Sequence, residues 1–320
     1  MTLCILNCTL NPLLPFLLCG LVVQVPESQV EAFSTALRTL LGFGHVSAAG
    51  SAQVHVLPVS MGAQNFANEQ LHVVMAVKCP SAVQVLHFSA VPMGDSGHAA
   101  FVKVALSPPN DASNPSSFNN LYKGPSVALL YSVHLSVRCP AATRRREVEA
   151  VLAHAATELA TELASVAAGA EAPLVLVCGD MNQPVALDYP PNEWEALARD
   201  LNGARLPLDD GGRAAFAEAH LYPSFSLRPT ADIMRKHHEF VVPASTAWNG
   251  AAVDFILANI QVPQGPKDTS ELKRKSAAIR GSEGGVSSLP STRNVAVTGS
   301  WVVPSTASDH FPVVADFVVG

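Results

Sequence analysis

Apolar residues in this chain alternate between short continuous runs and longer stretches in which every third or fourth position is apolar. The longer stretches, residues 28–41 and 144–167, have the spacing of amphipathic helices. The runs 127–135 and 173–178 are almost entirely apolar, which predicts strands buried on both faces. Shorter runs predict further strands at residues 54–57, 71–77, 83–88, 99–106, 252–258, 295–303 and 312–319.

The N-terminal region has no charged side chain before Glu27. Residues 1–6 predict a strand that ends at Asn7, and residues 21–25 predict a second strand. The apolar stretch 13–25 lacks the basic start of a signal peptide, and polar residues and prolines shorten it below the about 20 apolar residues of a membrane span. Two buried strands joined by a proline-containing loop are therefore favoured, with a cleaved or anchoring segment as the alternative.

Predicted strands and helices run from one end of the chain to the other, without an internal repeat or a linker. This continuity favours a single α/β domain over residues 1–320. Two segments depart from the pattern. Residues 108–125 are rich in Asn, Ser and Pro and predict an exposed loop, whereas residues 264–291 are polar and rich in Gly and Ser and predict a flexible insertion.

Composition narrows the classes of function. Hydrophobic residues make up 48% of the chain and charged residues 14%, so much of the chain is predicted to be internal. The net charge of −6 argues against a general nucleic-acid coating protein, because such proteins are basic. A polyanionic substrate would need a local positive centre or a metal. The six cysteines form no CxxC pair, which favours buried reduced thiols and an intracellular protein.

Polar side chains interrupt or end the apolar runs at four places. The strand before CGDMNQP delivers Asp180 and Asn182, the segment VDFILA contains Asp254, and YSVHL places His134 near the end of its strand. The chain closes with SDHFPV, which contains Asp309 and His310. Strand ends and the loops beyond them are where α/β sheets present functional groups, so these residues are candidates for one site.

Hydrolysis of a phosphate ester needs this combination of groups. A hard divalent cation such as Mg²⁺ or Mn²⁺ binds carboxylate and amide oxygens and neutralises charge that develops on the phosphate. Asp180 could orient or deprotonate the attacking water, and Asn182 could hold a phosphate oxygen. His310, hydrogen-bonded to a carboxylate, could act as an acid or base, or as a cation facing the phosphate.

The four motifs, in this order, resemble a known family. GDMN, SDHFPV, VDFILA and SVHL are similar to the GDxN, SDHxPV, (I/V)DYI and NTHL motifs of the endonuclease/exonuclease/phosphatase superfamily, over residues 127–318. The polar and aromatic approach to the third motif, with Trp248 and Asn249, resembles the deadenylase and nocturnin branch and suggests substrate contacts. A plain turn at Asn249 and Gly250 is the alternative for that segment.

The resemblance implies a fold and roles. The fold would be a four-layer α/β sandwich of two mixed sheets flanked by helices. Asp180 would activate the water, Asn182 and His134 would contact the scissile phosphate, and Asp254 would orient His310. Asp309, and Asn7 at the end of the first strand, would help to hold the metal.

The resemblance also implies an activity, a magnesium-dependent phosphoesterase. The favoured activity is that of a nuclease acting on nucleic-acid or nucleotide phosphodiesters. The alternatives are an inositol or phospholipid phosphatase, a sphingomyelinase-like phosphodiesterase, and a catalytically degraded binding protein with the same fold. The substrate, the choice between endo and exo action and the oligomeric state are left open.

One position departs from the family pattern. The second strand of the family ends in Gln-Glu, and that Glu is the principal metal ligand; here the strand reads LVVQVPE, with Val25 after Gln24. The ligand has moved to Glu27, or the N-terminus is wrongly defined or truncated, or the metal site is degraded. Among the other charged residues, the run Arg144–Arg146 favours a solvated helix start over contacts with phosphate.

Overall fold

The computed structural model describes residues 4–10, 15–20, 24–42, 53–64, 68–79, 84–94, 97–106, 125–136, 139–165, 171–182, 192, 195, 215–216, 218–219, 221–223, 247, 253–260, 289–290, 292, 294–303 and 310–319. In chain order, its helices and strands are β1 (Cys4–Leu10), β2 (Pro15–Gly20), β3 (Gln24–Pro26), α1 (Val30–Gly42), β4 (Gln53–Gln64), β5 (Gln70–Cys79), β6 (Gln84–Pro92), β7 (His98–Ala105), β8 (Val127–His134), α2 (Ala141–Ser165), β9 (Leu174–Asp180), β10 (Tyr222–Pro223), β11 (Asp254–Ala258), β12 (Val295–Val302) and β13 (Val313–Val319). A single 3-10 turn, Glu27–Gln29, joins β3 to α1.

These strands form two mixed sheets. Sheet A has the order β12-β13-β1-β2-β5-β3, with β4 also paired to β5, and its one parallel pair is β1 with β13. Sheet B has the order β10-β11-β9-β8-β7-β6, and its one parallel pair is β8 with β9. One continuous core of buried side chains from both sheets shows that they pack face to face.

Alternation along β5 shows how the layers are built. Val73, Met75 and Val77 belong to the core between the sheets, whereas Val74 and Ala76 belong to a second cluster on the outer face of sheet A. This alternation is the period of two that a strand buried on both faces requires. Helix α1 covers the outer cluster with apolar side chains at helical spacing, namely Val30, Phe33 and Leu37.

Helix α2 covers the outer face of sheet B. It buries Val148, Val151, Leu152, Ala155 and Leu159, whose spacing forms one apolar stripe. Polar contacts fix it to the sheet as well: the Tyr131 hydroxyl lies 2.9 Å from His154 Nδ1, and Lys103 forms ion pairs with Glu158 and Glu162. The order helix, sheet, sheet, helix confirms the predicted four-layer α/β sandwich.

Several boundaries differ from the sequence prediction. The first strand does not end at Asn7 but continues to Leu10, because it pairs along its whole length with β13. Pro15–Gly20 forms a strand that the pattern did not separate from its surroundings. Leu163 continues the helical spacing of the buried stripe of α2 but is 40% exposed. The predicted loop at 108–125 and insertion at 264–291 lie almost entirely outside the described residues.

Neither α1 nor α2 is long and apolar enough to cross a membrane, and the same holds for every helix in the described part of the chain.

A glycine sets the spacing of the two central strands of sheet B. Gly179 has φ +140°, and a Cβ atom there would lie 1.9 Å from the carbonyl oxygen of Val133, its neighbour on β8. Only glycine combines this backbone conformation with so close an approach. The next residue on β9 is Asp180, so the glycine determines where that carboxylate lies.

The substitution Gly179→Ala tests this constraint. Because both the backbone angle and the contact oppose a side chain, we expect the free energy of unfolding to fall by about 4 kcal/mol. Gly94→Ala is the matched control: its φ is +72°, but nothing lies within 4 Å of an added Cβ, so it should cost about 1 kcal/mol. Equal denaturant midpoints for the two variants would show that the approach of β8 and β9 does not need glycine.

Candidate active site

Pairing between strands brings three of the predicted site residues into one row. Asp180, the last residue of β9, lies opposite His134 of β8 in the parallel pair and opposite Asp254 of β11 in the antiparallel pair. Opposite residues on adjacent strands project to the same face of a sheet. All seven residues of β9 are buried, as is the whole of β11, so the carboxylates of Asp180 and Asp254 stand at the end of a dry core.

His310 reaches this row from the other sheet. It lies three residues before β13, and its Nδ1 donates a hydrogen bond to Oδ2 of Asp254 over 2.8 Å. Its Nε2 lies 3.9 Å from Oδ2 of Asp180. The imidazole is thus oriented by one carboxylate and directed toward the other. The sequence placed these residues 56 and more positions apart, and the packing of the two sheets brings them together.

Asn182 forms the other side of the site. Its backbone has φ +48°, and its N–H donates to Oδ1 of Asp180 over 2.7 Å, which is an Asx-turn. Its side-chain Nδ2 donates to the carbonyl of Leu135 over 2.6 Å and lies 3.4 Å from Nε2 of His134. This Asx-turn holds the side-chain amide beside His134.

Burial and charge shift the proton affinities of this cluster in different directions. Burial, followed by the negative charge of Asp254, raises the pKa of Asp180 above its usual range. Burial lowers the pKa of His134 to about 4, so its imidazole is neutral at pH 7, although its Nδ1 lies 3.6 Å from Asp180. Burial alone would lower the pKa of His310, but the hydrogen bond to Asp254 and the charges of both aspartates raise it.

Among the described residues, Asp180, Asp254 and His310 form the one group that could hold a metal ion, with ligand atoms within 4.8 Å of one another. Their donor set is chemically suitable, because hard divalent cations prefer carboxylate oxygens. His310 Nδ1 donates to Asp254, which leaves Nε2 as the ring nitrogen that faces the cluster beside the carboxylate oxygens. The residues present therefore fit a hard divalent cation.

The predicted N-terminal ligands, Asn7 and Glu27, lie on β1 and in the turn after β3. Asn7 lies in the middle of β1 and is paired with Asp316 of β13. Asp316 follows His310 by six residues in the sequence. Glu27 is exposed in the 3-10 turn after β3. Asp309, Trp248 and Asn249 lie outside the described residues, although the backbone of Ala247 forms an isolated bridge with His310.

Val25 occupies the position where the family pattern has its glutamate, and it faces away from the core between the sheets. It lies opposite His72 on β5 and is buried with Val74 and Ala76 beneath α1. A carboxylate at this position would lie in an apolar layer on the outer face of sheet A.

Arg144–Arg146 differ from the predicted solvated helix start. Arg144 is completely buried. Arg145 forms ion pairs with Glu149 and Glu218, and only Arg146 is exposed. Helical spacing predicts the burial of Arg144, because it lies four residues before Val148 and seven before Val151, on the buried stripe of α2.

Comparison with known proteins gives distant structural likeness. No family model and no curated protein matches the sequence. A functionally unknown conserved protein from Enterococcus faecalis V583 is 10% identical and has a TM-score of 0.44, over 99% of this chain and 100% of that one. TDP2 from D. rerio, solved with a single-strand DNA product, is 11% identical with a TM-score of 0.37, over 90% and 78% of the two chains.

ANGEL2, described as a 2',3'-cyclic phosphatase, is 12% identical with a TM-score of 0.33. The match covers 51% of this chain and 39% of ANGEL2. Likeness at this level does not indicate an activity.

The substitution Val25→Glu tests whether position 25 is a lost metal ligand or a position with a structural role only. Because the carboxylate would be buried beneath α1, we expect the free energy of unfolding to fall by about 3 kcal/mol or more, with no gain in magnesium affinity. Val25→Ala, which only removes methyl groups, should cost about 2 kcal/mol. Urea unfolding and isothermal titration with Mg²⁺ measure both effects. Tighter magnesium binding by a stable Val25→Glu protein would place this residue in the site.

Proposed function

We propose that this chain is a metal-dependent phosphoric ester hydrolase of the endonuclease/exonuclease/phosphatase type. The observation that carries the proposal is the convergence of His134, Asp180, Asp254 and His310 at one end of the two sheets, with the hydrogen bond from His310 Nδ1 to Asp254. Four groups from distant sequence motifs, two acidic and two imidazole, form one partly open cluster. This combination suits attack by water on an anionic ester.

The roles follow from the positions of the atoms. Asp180 Oδ2 lies between the two imidazoles, 3.6 Å from His134 Nδ1 and 3.9 Å from His310 Nε2, where it can accept a proton from water. Asp254 holds His310 so that Nε2 faces the cluster, where it can donate to a phosphate oxygen. Neutral His134 and the Asn182 amide supply further polar contacts to the ester. These assignments retain the roles that the sequence motifs implied.

A divalent cation, Mg²⁺ or Mn²⁺, would be held through the carboxylates of Asp180 and Asp254, with Asp309, Asn7 and Glu27 as further ligands proposed from the sequence. Such an ion, when bound, supplies electrostatic stabilisation of charge on the phosphate. Within this class we favour a nucleic acid or nucleotide as the substrate. Inositol phosphates and phospholipids are the alternative, because the groups described act on the ester and not on its substituents.

A second candidate is a binding protein that has the same site residues but little metal affinity. Two positions support it, because Val25 has no carboxylate and is buried beneath α1, and Glu27 is exposed in a turn. Metal-dependent turnover separates the two candidates.

The activity itself is tested with purified protein and a panel of RNA, DNA, generic phosphodiester and inositol-phosphate substrates, with and without Mg²⁺ or Mn²⁺. We expect metal-dependent hydrolysis that falls about 100-fold or more in Asp180→Asn and in His310→Ala, because both groups act on protons and charge in the transition state. Glu31→Gln, on the exposed face of α1, is the control and should retain full activity.

Thermal melting accompanies each assay of these variants. Asp180→Asn keeps the shape of the side chain and relieves repulsion between two buried carboxylates, so its melting temperature should not fall. Full activity in either variant would remove that residue from the mechanism. Equal turnover with and without metal would remove the cation.

Salt dependence tests the nucleic-acid substrate. Arg144 is buried and Arg145 is already paired with two glutamates, so this part of the surface offers few cations to a phosphate backbone. We expect two or three phosphate contacts, and therefore a log-affinity against log-salt slope of roughly −1.5 to −2 for a single strand. Filter binding of an RNA oligonucleotide between low and moderate salt gives the slope. A value near −8 would indicate an extended basic track instead.

A further inference from the structure

The first turns of α2 hold the chain that leaves β8. Ser136 lies two residues after His134, and each of its three polar groups contacts this helix or the residues just before it. Its N–H donates to Oε2 of Glu147 over 2.9 Å, its hydroxyl donates to Oε1 of the same carboxylate, and its carbonyl accepts from Arg144 over 3.4 Å. We call these contacts the Ser136 clasp.

The residue between His134 and the clasp is bonded directly to the candidate site. The N–H of Leu135 donates to the carbonyl of Asp180 over 2.9 Å, and its carbonyl accepts from the side-chain amide of Asn182 over 2.6 Å. That amide in turn lies 3.4 Å from His134 Nε2. A shift of Ser136 would therefore move the acceptor that fixes the Asn182 amide.

The groups of the clasp are costly to bury. Arg144 is 0% exposed and Glu147 is 1% exposed, and buried charges destabilise a fold unless hydrogen bonds and opposite charges satisfy them. Their spacing of three residues places both on the face of α2 that meets the sheet. Helix α2 also contacts the sheet and the neighbouring segment through ion pairs whose charged groups stay partly exposed: Lys103 with Glu158, Lys103 with Glu162, and Arg145 with Glu218.

From this geometry we infer that Glu147 is a positioning residue: through Ser136 and Leu135 it fixes the Asn182 amide and the imidazole of His134 for contact with the phosphate ester. The inference rests on the proposed function for its effect on turnover. Its structural part, the control of Leu135 and Asn182 by Glu147, stands on the hydrogen bonds alone and is measured without a substrate.

The test compares Glu147→Ala, Glu147→Gln and Ser136→Ala with Glu149→Gln, a control two residues further along α2 whose carboxylate pairs with Arg145 outside the clasp. Glutamine can still accept from the Ser136 N–H and donate to its hydroxyl, so it should preserve the clasp. We expect kcat to fall about 10- to 100-fold in Glu147→Ala with KM changed less than threefold, and to return to within about threefold of the natural protein in Glu147→Gln. Ser136→Ala, which loses one bond, should fall between the two.

A second readout needs no activity. In hydrogen exchange and NMR of the natural protein and the same variants, Glu147→Ala should lose protection of the Leu135 N–H and shift the Asn182 side-chain amide resonances. Glu149→Gln and Glu147→Gln should do neither. If Glu147→Ala does not fold, the effect of Ser136→Ala on the same two signals decides.

The outcomes separate the two proposals. No hydrolysis by the natural protein, with the amide signals changing as described, overturns the proposed function and leaves the positioning role of Glu147 intact. Hydrolysis that is unaffected in folded Glu147→Ala, or unchanged amide signals in Glu147→Ala and Ser136→Ala, overturns the positioning role. Equal losses of kcat in Glu147→Ala and Glu149→Gln would show a general effect of α2 on stability and would also overturn the positioning role.

Discussion

The close approach of β8 and β9 at Gly179 is the constraint on which the candidate site depends. A backbone with φ +140° and a carbonyl 1.9 Å from where a Cβ would stand fix the register of the two strands one residue before their polar ends. That register sets His134 beside Asp180, and the antiparallel neighbour sets Asp254 on the other side. The loops add His310 and Asn182 to a row that the sheet has already aligned.

The chemistry of this row depends on charged side chains that are buried away from solvent. Two buried carboxylates oppose each other, and one of them is engaged by an imidazole that bridges the two sheets. The two histidines consequently differ: His134 is kept neutral by burial, whereas the aspartates favour a proton on His310. One cluster therefore holds a neutral imidazole and an imidazole that favours a proton, a pair of groups that can serve as base and acid.

The sequence predicted the parts of the fold that depend on local pattern. The long helices, the buried central strands and the polar residues at their ends follow from periodicity, so His134, Asp180 and Asp254 could be singled out before their pairing was known. The register of a strand, and the face of the sheet on which each of its side chains lies, are set by partner strands far along the chain. For that reason Asn7 lies in the middle of its strand and Val25 faces α1. For Arg144, the charged side chain favoured a solvent-exposed position, whereas its helical spacing agrees with the buried position that the structure shows.

Position 182 has two requirements that few side chains meet together. Its backbone is left-handed, with φ +48°, a conformation that Gly, Asn and Asp adopt most readily. Its side chain must also donate to the Leu135 carbonyl. Glycine satisfies the backbone and has no amide, and aspartate would add a third carboxylate beside Asp180. Conformation and chemistry therefore select the same residue, and the turn alone would be satisfied by glycine, whereas the turn together with the hydrogen bond to Leu135 requires asparagine.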